Sequence, residues 1–99
     1  MRRSQMEGKF QIEITYCVSW QHHAVATWMA NEFFRHYGPD AAIAISPRGQ
    51  GIMEVFFNGE RIFDKKAEGN IYPDLARVRE MRKVIDAKLE TLEPTPADD

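Results

Sequence analysis

ITYCVSWQHHA (Ile14–Ala24) joins the end of an alternating apolar and polar run to the start of an amphipathic one, and carries the chain's only cysteine, Cys17, at the join. Upstream, FQIEITY sets Phe10, Ile12, Ile14 and Tyr16 against Gln11, Glu13 and Thr15, the period-two pattern of a strand with one wet face. Downstream, Val25, Trp28, Met29, Phe33 and Tyr37 recur at three- and four-residue steps until Gly38 and Pro39 stop them. The junction is therefore read as strand, tight turn, helix. A thiol placed there meets unpaired N–H groups and the positive end of the helix dipole, both of which favour its thiolate.

Working outward, AAIAISP (41–47) is too short for a helix and reads as a second strand, closed by PRGQG. GIMEVFF and RIFDK flank Asn58-Gly59, a strong two-residue hairpin signal, and give strands three and four. Alternation along these strands puts Phe56 and Phe63 together on the face away from the helices. Beyond KKAEGN, Leu75, Val78, Met81, Ile85, Leu89 and Leu92 keep helical spacing, with Pro73 as the expected start of that second helix. The order β-α-β-β-β-α, with a parallel crossover first and an antiparallel hairpin after it, predicts an α/β two-layer domain with a mixed sheet ordered 2-1-3-4. Both helices should cover the dry face of that sheet. Residues 10–92 form the expected single domain, with 1–9 and 93–99 (EPTPADD) as flexible ends.

Composition limits the function. A 99-residue chain has room for one core, and a net charge of −2 with scattered basic residues argues against nucleic acid as partner. No apolar run reaches the roughly 20 residues of a membrane span, and MRRSQMEGKF has no apolar signal segment behind its arginines, so a cytoplasmic location is expected. One cysteine forms no intramolecular disulfide; its thiol is buried, reactive or used between molecules. Ser19 is placed to cap the helix or to hydrogen-bond the sulfur, and His22 or His23 would add positive charge when protonated. Cys17 with two adjacent histidines is a poor metal set, because neighbouring helical side chains diverge by about 100° and structural zinc takes four ligands. No metal and no cofactor is expected.

IEITYCVSWQHHAVATWMANE resembles the SelT/SelW/SelH family, the selenoprotein W-like or Rdx proteins. There the pattern I-x-Y-C-x-x-C leads into an A-x-W-M-A-x-E helix. GIMEVFFNGERIFDKK is similar to the family's glycine-led hairpin with a (D/N)-G turn, and EGNIYPDL to its G-G-F-P segment. The resemblance implies a thioredoxin-like fold and thiol redox chemistry at Cys17. It also implies that Trp20 stands where the family has its second cysteine or selenocysteine, the thiol that would resolve a mixed disulfide. Glutathione or a protein thiol would then have to complete the cycle.

In the same family picture Gly51 lies near the motif and lets backbone approach it, while Tyr72 and Pro73 join Trp20 as candidate binding residues. Trp20 serves either as a contact handle or as a cover over the sulfur. The competing expectation is a non-catalytic protein-binding module on the same fold, engaging a protein partner or a second copy through the open sheet face.

Overall fold

The computed structural model describes residues 9–49 and 51–92, without the side chain of Trp20. The expected flexible ends therefore fall, but for Lys9, outside the described residues. The elements are β1 (Phe10–Cys17), α1 (Trp20–Tyr37), β2 (Ala41–Arg48), β3 (Met53–Phe57), β4 (Glu60–Asp64) and α2 (Leu75–Thr91), with 3-10 turns at Gly38–Asp40 and Lys66–Glu68. They build a four-stranded sheet ordered β2-β1-β3-β4. β1 pairs parallel with β2 and antiparallel with β3, and β3 with β4, as the sequence pattern requires.

The alternation of β1 sorts the layers. Phe10, Ile12, Ile14 and Tyr16 are buried and join Met53, Val55 and Phe57 of β3 in one core with Ala26, Met29 and Phe33 of α1 and Val78, Met81 and Ile85 of α2. Both helices thus lie on one face. On the other, Thr15 donates to Glu54 at 3.2 Å, Ser46 to Glu13 at 3.0 Å and Arg61 to Glu54 at 3.1 Å. That face is a hydrogen-bonded polar surface.

Two expectations are corrected. Phe63 is 2% exposed and belongs to the core, because β4 carries an extra residue: Phe56 pairs with Arg61 but Val55 with Phe63, leaving Ile62 as a bulge that turns Phe63 over. Phe56 alone remains on the open face, so the aromatic pair proposed there does not exist. Pro73 does not open α2. Asp74 is the N-cap, its carboxylate accepting from the Arg77 amide at 2.9 Å, and Pro73 lies one residue outside.

Long-range side-chain bonds brace the frame. The Tyr37 hydroxyl donates to Asp86 Oδ1 at 2.8 Å, tying the end of α1 to α2; burial first, then Asp86, pushes its pKa well up. Arg77 grips Glu68 through Nε and a terminal nitrogen, the shortest contact 2.7 Å, and lies 5.2 Å from the Phe63 ring centroid.

The bulge predicts unequal costs for its two aromatics. Phe63→Ala should lose about 3–5 kcal/mol in urea unfolding, as a deleted core ring does, and Phe56→Ala under about 2 kcal/mol, as a half-covered one. Equal losses would contradict the register. The Arg77 hydrogen bonds hold the Glu68 carboxyl below its usual pKa. Its contribution is therefore present above the unfolded value near 4.3 and is lost as pH falls through the lower folded value. Because the carboxylate is partly exposed, Glu68→Gln should cost about 1 kcal/mol or less at pH 7, and should flatten the acid limb of the stability profile.

Candidate functional site

β1 carries its pairing through to its last residue: the Cys17 amide donates to the Ile52 carbonyl at 2.6 Å, and a bend at Val18 and Ser19 turns the chain into α1. Ser19 is the N-cap by backbone, extended at φ −62°, ψ 147°, with its carbonyl accepting from the His23 amide at 3.1 Å. Its hydroxyl makes no cap bond. The hydroxyl lies instead 2.8 Å from His22 Nδ1.

Cys17 is half-buried and its pKa is lowered. The backbone amide of Ser19 is the largest cause, that of Gly51 the next; burial opposes them, and the Ser19 hydroxyl and the Val18 amide add to the lowering. Hydrogen bonds to the charged form of an acid favour that form, so these amides favour the thiolate. Gly51 brings its amide there from the β2–β3 loop at φ +70°. A Cβ on it would meet nothing within 4 Å, so glycine answers to the left-handed backbone rather than to lack of room.

A side-chain chain runs on from Ser19. Its Oγ lies 2.8 Å from His22 Nδ1, and the same nitrogen lies 3.2 Å from the Tyr72 hydroxyl, fifty residues away in sequence. The His22 and Tyr72 rings meet edge to face at 5.1 Å, and Lys65, 7% exposed, places Nζ 5.0 Å over the Tyr72 ring. Burial first and Lys65 second lower the His22 pKa, so His22 is neutral at pH 7 and does not supply the positive charge expected of it. His23 is exposed, with its ring 5.4 Å from Tyr16.

Tyr72 and the buried Pro73 also line a groove of about 190 Å3 with Glu68, Ile71, Asp74 and Arg77. A second hollow of about 200 Å3, among Glu32, Arg35, His36 and Arg82, belongs to the last turns of α1, at the opposite end of that helix from Cys17. Among the described residues no three His, Cys, Asp or Glu side chains converge as metal ligands, and no helix is long and apolar enough to cross a membrane.

Of the residues singled out from sequence, the structure brings Cys17, Ser19 and Gly51 together and joins Tyr72 to them through His22, while Pro73 lines the groove beside Tyr72. Trp20 is the first residue of α1, and the choice between handle and cover for its ring lies outside the described residues. Lys65 went unnoticed in the sequence, where it reads as one more solvated lysine of DKKAE. No period relates it to Tyr72.

No curated protein matches the chain. Among solved structures, a Bordetella parapertussis protein superposes with a TM-score of 0.67 at 27% identity, covering 75% of this chain and 94% of its own. A selenoprotein W-related protein from Vibrio cholerae superposes with a TM-score of 0.63 at 30% identity, covering 75% of this chain and 98% of its own. The model of the Rdx family matches residues 11–87, through the Cys17 junction, the hairpin and most of α2. The chain belongs to the Rdx family, which implies a redox-related protein of thioredoxin-like fold.

Proposed function

We propose that the protein is a monothiol redox protein acting through Cys17, with glutathione or a protein thiol as the other half of the couple. The observation that carries this reading is the place of Cys17 at the end of β1, just before the N-terminus of an 18-residue helix, where the Ser19 and Gly51 amides lower its pKa. The Cys17 thiolate attacks the glutathione sulfur of a mixed disulfide on a substrate protein. The substrate leaves as its thiolate, and Cys17 carries the glutathione. A second glutathione thiolate then attacks the bound glutathione sulfur, releasing glutathione disulfide and restoring the Cys17 thiolate. Both exchanges conserve the number of disulfides, and no second cysteine in the chain is needed. In this reading Trp20 occupies the place of a resolving thiol, and the cycle runs in a reducing compartment, the cytoplasm.

One observation favours a second reading, a non-catalytic protein-binding module. Val18 and Ile71, each 68% exposed, stand at the two ends of the Ser19–His22–Tyr72 chain. Such a module would engage its partner at that rim, and not through the open sheet face, whose apolar case is gone with Phe63. Its binding would survive Cys17→Ser.

Alkylation of native protein by iodoacetamide across pH, followed by mass spectrometry with an unfolded control, separates the readings. The redox reading expects the rate to plateau with a midpoint below the free-cysteine value of about 8.5, and glutathione disulfide to add one glutathione at Cys17. A thiol that reacts only after denaturation would remove the redox reading and leave the binding module.

A further inference from the structure

The hydrogen bonds around His22 reach further than the thiol itself. A neutral imidazole offers one hydrogen and one lone pair, and at Nδ1 it must use one of them toward both Ser19 Oγ at 2.8 Å and Tyr72 Oη at 3.2 Å. Nε2 is buried and has no partner among the described residues. If Nε2 carried the hydrogen, a buried N–H would be orphaned, and two hydroxyl protons would compete for the single Nδ1 lone pair. With the hydrogen on Nδ1, one N–H serves two oxygens that both have lone pairs, and only an unmatched lone pair stays buried, the less costly orphan. Ser19 Oγ then accepts from His22 and keeps its own hydrogen free for the Cys17 thiolate two residues before it, the charged form that this hydroxyl favours.

We propose that His22 is a positioning residue: held as the Nδ1–H tautomer by its buried Nε2, it donates to Ser19 Oγ and thereby turns the Ser19 hydroxyl proton onto Cys17 Sγ. The inference deepens the redox reading of the site and rests on it for its purpose. The surroundings agree. Ser19 gives up the helix-cap bond that its side chain would ordinarily make. Lys65, packed over Tyr72, opposes a second proton on His22. The other charged or titratable groups near the junction are His23 on α1, Arg48 beside Cys17 across β1–β2 and Glu13, 3.9 Å from Arg48; all three lie at the surface or partly exposed. Tyr72, fifty residues from His22 in sequence, shares the Nδ1–H, so the loop before α2 takes part in setting the thiol.

Two measurements on the full chain test this. Long-range proton–nitrogen NMR spectra of nitrogen-15-labelled protein at pH 7 should show His22 protonated at Nδ1; protonation at Nε2 overturns the proposal without any variant having to fold. In the iodoacetamide pH profile, Ser19→Ala and His22→Leu should each raise the Cys17 midpoint by roughly 0.5–1 pH unit, and the double variant should rise no further than either. His22→Asn, whose amide N–H takes the place of Nδ1–H, should restore most of the shift. A Cys17 midpoint unmoved by His22→Leu overturns the proposal even if wild type is readily glutathionylated. A midpoint that moves as expected in a protein that glutathione disulfide does not modify upholds it and removes the redox reading instead.

Discussion

β1 lies between a parallel and an antiparallel neighbour, so its backbone is bonded on both edges and its side chains must divide between two faces. Apolar residues at every second position send Phe10, Ile12, Ile14 and Tyr16 into one layer with both helices, and the intervening Glu13 and Thr15 into bonds with Ser46 and Glu54. A slip of one residue would bury Glu13 and expose Ile12, and the cost of an unpaired buried carboxylate makes such a slip prohibitive. The position of the thiol follows from this register. Cys17 ends the strand, locked by its amide to Ile52, and the first turn of α1 begins three residues later.

The donors around the sulfur come from segments that share no local structure. Ser19 and Val18 follow in the turn, Gly51 arrives from the β2–β3 loop in a left-handed conformation, and Tyr72 reaches in from the segment before α2 by way of His22. Lys65, close behind β4, is withdrawn from solvent onto the Tyr72 ring. Burial first, and this basic residue second, lower the His22 pKa and oppose the positive charge that a neighbouring thiolate would favour on the imidazole.

The strands, both helices and the sheet order were legible because each rests on a local period or a two-residue turn, and local patterns survive folding when nothing opposes them. What was illegible was set by contacts between distant segments. Phe63 obeys alternation in the sequence and breaks it in the fold, since a bulge depends on how β4 meets β3 and leaves no mark on β4 alone. Pro73 met the requirement for a first helical residue, but the carboxylate of Asp74 closes on the Arg77 amide and takes the boundary one step further. At the site, Cys17 and Ser19 could be seen from their place at a strand–helix junction. His22 could be seen only as a charge; its burial and its bond to Tyr72 exist once α1 and the loop before α2 are brought together.

The left-handed Gly51 has a consequence for when the chain acquires its chemistry during synthesis. Its amide reaches the sulfur across 34 positions, and the Tyr72 hydroxyl completes the polar chain from further still. Closing loops of that length costs entropy that only the finished sheet and core return. A nascent or partly unfolded chain therefore carries an ordinary cysteine, and the lowered pKa of Cys17 is a property of the mature fold. The acidity of Cys17 thus follows the same closure that buries the core.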